Sequence, residues 1–202
     1  DELHQAGVGV ILDWTPAQFP RYASGLEKFD GTPLYERQNP AEAIHPFWGT
    51  LLYNYGSPMV KDFLISNACF WAEVYHADGL RMDDVDAMLY LDYGRNPGEW
   101  TPNIYGTNEN LDALEFLKHL NSVIKERNPG LLLVAQENGL WPELTDSVEN
   151  DHLGFDYKWS GGWTKDLLEY LSKDPIERKN YHDQLTMSML YAYCEYYILT
   201  LG

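Results

Sequence analysis

The chain has 202 residues, enough for one sizeable core, and a net charge of −17. That charge disfavours nucleic acid and anionic membranes as partners, since both need a basic patch, and no apolar run reaches the ~18 residues of a membrane-spanning helix. Seven Trp and fifteen Tyr exclude a disordered chain and suit a neutral, polar ligand such as carbohydrate, whose flat sugar faces pack on aromatic rings.

Residues 1–6 read as a helix tail closed by Gly7. Val8-Gly9-Val10-Ile11-Leu12 is a short apolar run ending at Asp13, as in a strand buried on both faces of a parallel sheet. A loop of about 14–58 follows, rich in Pro, Gly, Asn and aromatics; that length marks a functional loop or a small subdomain. Ser57-Pro58 opens a helix, with Ser as N-cap and Pro in the first turn. Val60, Phe63, Leu64, Trp71 and Val74 form its apolar face, and it ends near His76.

Asp78-Gly79 lead into the second apolar run, Leu80-Arg81-Met82-Asp83. Arg81 and Asp83 are two apart, so on a strand they share a face at its C-terminal end. Parallel α/β enzymes keep their chemistry there. The alternative is an ion pair with a structural role only. A second long loop spans about 86–108. Asn108 or Asn110 caps the next helix, Leu114, Leu117, Leu120 and Ile124 line its buried face, and Asn128-Pro129-Gly130 stop it. Leu131-Leu132-Leu133-Val134-Ala135 form a third buried strand ending at Gln136-Glu137. Leu153-Gly154-Phe155-Asp156 is the fourth candidate strand; Lys158-Trp159 follow, then a helix from around Trp163. Residues 185–201 read as a helix and the start of a further strand. The chain opens inside a helix end and stops just after an apolar run, so both ends are expected to be cut from something larger.

Repeated strand, loop and helix make βα units with right-handed crossovers. The fold class is α/β. Polar residues collect at successive strand ends (Asp13, Asp83, Gln136 and Glu137), which fits the central part of a (β/α)8 TIM barrel, incomplete at both ends. Residues 1–202 are then a fragment of one catalytic barrel domain with its two long loops. A doubly wound open sheet is the alternative, disfavoured because no Gly-rich phosphate fingerprint follows the first strand. Cys69 and Cys194 fit no metal spacing and read as small buried hydrophobes in a reducing compartment. The six His share no ligand spacing, so no metal is expected. Asp84 and Asp86 read as solvated or loop-ordering carboxylates.

Two acidic groups at neighbouring strand ends suit glycoside chemistry, in which one carboxylate attacks the sugar carbon and the other protonates the leaving oxygen. Asp83 is the candidate nucleophile, kept ionised by Arg81. The motifs around it are Gly9-Val10-Ile11-Leu12-Asp13-Trp14-Thr15-Pro16, Phe29-Asp30-Gly31-Thr32, Trp48-Gly49-Thr50-Leu51, Tyr53-Asn54-Tyr55-Gly56, Gly79-Leu80-Arg81-Met82-Asp83, Leu89-Tyr90-Leu91-Asp92-Tyr93 and Tyr157-Lys158-Trp159 with Gly162-Trp163. In this order they resemble the catalytic barrel of α-1,4-glucan (glycogen) branching enzymes, in the α-amylase family of glycoside hydrolases. The resemblance implies retaining transglycosylation for glycogen biosynthesis: an α-1,4 bond is cleaved to a covalent glycosyl-enzyme, and the segment passes to a glucose 6-hydroxyl. It implies an α-glucan partner, no cofactor and a cytoplasmic setting. Asp83 maps onto the nucleophile, Arg81 onto its charge partner, and Asp13 onto a residue that binds sugar at the cleavage point. Trp14, Trp48, Tyr53 and Tyr55 are candidates to line a glucan groove or to pack the long loop.

The chain departs from the family pattern in three places. Gln18 stands where the first motif ends in a sugar-binding His; Gln can still donate and accept, with weaker binding. Gln136 stands at the acid/base Glu, and an amide cannot supply that proton. Glu137 is adjacent but points to the other face of a regular strand, so it substitutes only if a bulge or a one-residue shift turns it. The family's third acid, in a Ser/Asn-His-Asp motif, falls past the last residue. The chain alone is therefore expected to be inactive. The competing readings are a related amylase-family hydrolase or transferase, and a non-catalytic glucan-binding relative.

Overall fold

The computed structural model describes residues 1–22, 24–139, 141–186 and 195–200. A short helix α1 (Glu2–Gln5) precedes strand β1 (Ile11–Trp14). The loop expected over 14–58 contains an antiparallel pair, β2 (Gln18–Phe19) with β3 (Leu51–Leu52), and between them helix α2 (Pro40–Ala43). It is thus a small subdomain, fastened where the Tyr55 hydroxyl donates to the carbonyl of Pro16 at 2.9 Å. Helix α3 (Pro58–Glu73) starts at Ser57-Pro58, although the Ser57 side chain makes no capping bond. Strand β4 (Gly79–Met82) and helix α4 (Val85–Leu89) follow. Then come helix α5 (Leu111–Arg127), strand β5 (Leu132–Gln136), strand β6 (Tyr157–Ser160), helix α6 (Gly161–Ser172) and strand β7 (Tyr197–Leu199).

Five strands form one parallel sheet in the order β1-β4-β5-β6-β7. Side chains alternate across it. Leu80, Met82, Leu133 and Ala135 are wholly buried, in one core with Val60, Leu64 and Ala68 of α3 and Phe116, Leu120 and Ile124 of α5. Gly79 is needed at the start of β4, because a Cβ there would lie 2.9 Å from the carbonyl oxygen of Leu132.

Three expectations need correction. β1 is not buried on both faces: it lies at the sheet edge, Ile11 is 48% exposed and Asp13 is also exposed. The fourth strand is Tyr157–Ser160 rather than 153–156, since Leu153 and Phe155 instead pack into the core from the connection before it. Of the segment 185–201, β7 is present; residues 187–194, including Cys194, lie outside the described residues.

Asn110, rather than Asn108, caps α5. Its Oδ1 accepts from the amide of Ala113 at 3.4 Å, and its Nδ2 donates to the carbonyl of Met88 at 3.0 Å. The cap therefore ties α5 to the helix that follows the Asp83 strand end. Asn110→Ala is expected to cost about 1–2 kcal/mol, read as a lower urea midpoint with unchanged slope.

Candidate active site

Strand register assembles the site. Asp13 on β1 pairs with Arg81 on β4, and Arg81 pairs with Val134 on β5. Asp83 and Gln136, each two residues further along, project on the same side as Arg81. Gln136 in turn pairs with Trp159 on β6. Four adjoining strands thus deliver Asp13, Arg81, Asp83, Gln136 and Trp159 to one face at their C-terminal ends.

Arg81 is the hub. Its Nε donates to Asp13 Oδ1 at 2.6 Å, its Nη1 donates to Asp83 Oδ1 at 3.4 Å and to Gln136 Oε1, and the guanidinium lies 5.0 Å from the centre of the Trp159 ring. The hydrogen bond from Arg81 holds the Asp13 carboxyl below its usual range, and Asp13 with Asp83 raises the guanidinium in turn. One cation therefore touches two carboxylates and the Gln136 amide.

Glu137 is turned away. The strand stays regular to Gln136, so the next side chain falls on the core face, where Glu137 is wholly buried and ion-paired with Lys158. Lys158 Nζ also donates to the carbonyl of Gly139 at 3.3 Å. Burial first, and then the neighbouring Asp86 carboxyl, push the Glu137 carboxyl up to about 7 against the opposing pull of Lys158.

Asp84 and Asp86 are not solvated; both are buried. Asp84 sits in the left-handed region (φ 61°) immediately after Asp83 and accepts at Oδ2 from Gln18 Nε2 and His45 Nε2, each at 2.8 Å. Burial raises its carboxyl, with His45 opposing. Asp86 accepts from the amides of Asn138 and Gly139 at 3.1 and 3.3 Å. The two carboxylates brace the strand ends on either side of β4: Asp84 holds the β1 connection and Asp86 the turn after β5. Of the two readings the sequence allowed them, loop-ordering holds and solvated does not; what the sequence did not supply is their partners. The available signal was their place at the head of the apolar helix Val85, Met88, Leu89, opposite lone polar residues in aromatic loops.

Gln18 is buried, its Nε2 on Asp84 and its Oε1 accepting from Thr50 Oγ1, so both ends of the amide are engaged within the protein. Trp14, Tyr53 and Tyr55 are buried in the core and do not line a groove; Trp14 Nε1 donates to Asn67 Oδ1 at 2.8 Å. Trp48 is exposed. Among the described residues no group of three or more His, Cys, Asp or Glu is disposed to hold a metal, and no helix is long and apolar enough to cross a membrane. A cavity of about 480 Å³, lined by Arg37, Asn54, Asn103 and Asp112, lies apart from the site, and none of the Arg81 cluster lines it.

No family model matches the chain. It is 52% identical over all 202 of its residues to a 1,4-α-glucan branching enzyme of Thermobifida fusca. It is also 52% identical over 199 residues to one of Methylococcus capsulatus. Over its whole length the chain is thus similar to 1,4-α-glucan branching enzymes. It spans about 27% of the length of these curated relatives. Two solved amylases share the fold: a maltogenic α-amylase of Thermotoga neapolitana (TM-score 0.59, 13% identity, 96% of this chain and 38% of that one) and an α-amylase of Geobacillus thermoleovorans complexed with acarbose (TM-score 0.61, 17% identity, 96% and 39%). The parallel sheet is accordingly part of an amylase-type barrel. The Arg81 cluster lies at the C-terminal end of its strands, the end at which such barrels carry their active sites.

Proposed function

We propose that the chain supplies part of the catalytic barrel of a retaining α-glucan branching enzyme, with residues 1–202 belonging to one barrel domain. The observation that carries this is the Asp13–Arg81–Asp83 cluster at adjoining strand ends, in a chain 52% identical throughout to branching enzymes. Asp83 attacks C1 of an α-1,4-linked glucose, Arg81 donates to its carboxylate at 3.4 Å, and Asp13 binds the sugar at the cleavage point. The segment then passes to a 6-hydroxyl of an α-glucan acceptor. The chemistry calls for no metal or organic cofactor, and the proposed setting is the cytoplasm, in keeping with the free thiol of buried Cys69.

Gln136 occupies the acid/base position, and its amide has no acidic proton for the leaving oxygen. Glu137 does not stand in for it, being buried against Lys158. Turnover of glucan is therefore proposed to be slow or absent, while the nucleophile remains. A second reading, a non-catalytic glucan-binding relative, is favoured by the same Gln136 and by the inward-turned Gln18.

An activated donor separates the two. The chain is exchanged for the matching segment of the Thermobifida fusca enzyme and incubated with α-maltotriosyl fluoride. Fluoride leaves C1 without a proton: the Asp83 Oδ–C1 bond forms as C1–F breaks, and fluoride departs with the electron pair. The expected result is one maltotriosyl unit on the peptide containing Asp83, detected by mass spectrometry and lost in Asp83→Asn. An unlabelled Asp83 in a folded protein that binds glycogen supports the non-catalytic reading instead.

A further inference from the structure

Two large rings stand in solvent beside the strand ends, outside the core: Phe47 is 65% exposed and Trp48 62%. Neither is loosely held. Trp48 stacks on the imidazole of His45, with centroids 5.5 Å apart and planes at 30°. Phe47 meets Tyr93 edge-on at 5.7 Å and 90°, and Tyr93 meets His45 edge-on at 5.9 Å. The backbone fixes the turn that presents them. Gly49 (φ 67°) donates its amide to the carbonyl of His45 at 3.0 Å, and a Cβ on Gly94 would fall 2.7 Å from the Phe47 ring.

His45 hangs this tray on the active site. The Phe47 amide donates to His45 Nδ1 at 3.2 Å, which assigns the ring proton to Nε2. That Nε2 donates to Asp84, the neighbour of Asp83. The tray is thus held in place and continuous with the site, and among the described residues its outer faces stand open to solvent. Rigid exposed aromatic faces next to convergent polar groups are the ordinary make-up of a ligand site.

The surroundings select the ligand. His45 and Tyr93 both adjoin Asp84, and the charges of Asp83 and Asp86 also act on Tyr93, so an anionic ligand is repelled. Two rings are far smaller than the ~800 Å² that each side of a stable protein interface buries. A neutral molecule with flat apolar faces and a polar rim fits both limits, and a pyranose ring is one. We propose that Phe47 and Trp48, backed by His45 and Tyr93, form a platform that stacks further pyranose rings of an α-1,4-glucan beyond the one at Asp83. The identity of the sugar rests on the function proposed above.

The test is affinity electrophoresis of the full 202-residue chain through gels containing glycogen. Phe47→Ala and Trp48→Ala are each expected to weaken glycogen binding about tenfold, and the double variant more. Trp48→Phe, which keeps a ring, retains most of the affinity. Tyr75→Ala, an exposed aromatic at the opposite end of the sheet, changes it less than twofold. Unchanged melting temperatures show that the fold is intact, as expected for exposed rings. A double variant that binds within twofold of the unaltered chain overturns the platform while leaving the α-glucan reading standing. An unaltered chain with no affinity for glycogen overturns both.

Discussion

Gln136→Glu is expected to raise glucan turnover by about 10²–10⁴-fold, the usual contribution of a positioned general acid/base. The experiment is done with the chain in place of the matching segment of the Thermobifida fusca branching enzyme, which completes the barrel. Gln136 already points at the site: its Oε1 accepts from Arg81, and its register partner is Trp159. A carboxyl of the same size takes the same bond. Arg81 favours its ionised form, whereas Asp83 on the same guanidinium favours the protonated form that an acid needs. The gain is expected in kcat, with little change in KM, since the amide and the acid occupy the same space and differ in the proton alone. Loss of the amylose–iodine colour measures turnover, and a debranching digest counts α-1,6 linkages. Asp83→Asn added to Gln136→Glu returns the rate to background. No gain would mean that Gln136 is not at the acid/base position. Shortened linear chains without α-1,6 linkages would make the parent activity hydrolytic.

The features that chain-local chemistry decides were legible. Short apolar runs ending in polar residues mark β4 and β5, because buried parallel strands are near-continuous apolar segments, and the same kind of run locates β1 although that strand lies at the sheet edge. Pro58 and Asn110 mark helix starts by their backbone chemistry. The two-residue spacing of Arg81 and Asp83 fixes their common face, and the one-residue spacing of Gln136 and Glu137 fixes their opposite faces. What was not legible depends on partners far along the chain. Asp84 and Asp86 lie in a run of acids that reads as solvated or loop-ordering without saying which; their donors come from Gln18, His45, Asn138 and Gly139, up to 66 residues away for Gln18. Strands β2 and β3, of two residues each, are too short to show a period. Tyr53 and Tyr55 resemble groove-lining aromatics until the fold of 14–58 packs them inward, Tyr55 stacked on Phe116 at 5.2 Å.

Lys158→Met is expected to be the most destabilising single change near the site, and its cost is expected to depend on pH. Lys158 is 2% exposed and its partner Glu137 not at all, so at pH 8 the substitution strands a carboxylate in the core at about 3–5 kcal/mol. That corresponds to a fall of about 6–20 °C in Tm for a chain of this size. The sign of the pH effect follows from Glu137, whose folded carboxyl is raised from 4.5 to about 7 with Lys158 in place and is raised further without it. Below pH 4.5 the folded and unfolded chains both hold the proton, and the contribution of the neutral acid is fully present. As pH rises through the folded value, the unfolded chain has already released the proton and the folded one must do so in the core, so stability falls. The Tm gap between Lys158→Met and the unaltered chain should therefore be small near pH 5 and widest at pH 8. Replacing both partners, Lys158→Met with Glu137→Leu, should recover most of the loss at pH 8, because an apolar pair leaves no charge to desolvate. A gap that does not vary with pH would mean that Glu137 is not the group left uncompensated. The pair also bears on the chemistry. Lys158 holds Glu137 and the carbonyl of Gly139 while Asp86 holds the amides of Asn138 and Gly139, and together they set the turn that begins at Gln136. Lys158→Met in the Gln136→Glu background is accordingly expected to lower kcat at pH 8 even below its melting range, since the acid would be presented from a loosened strand end.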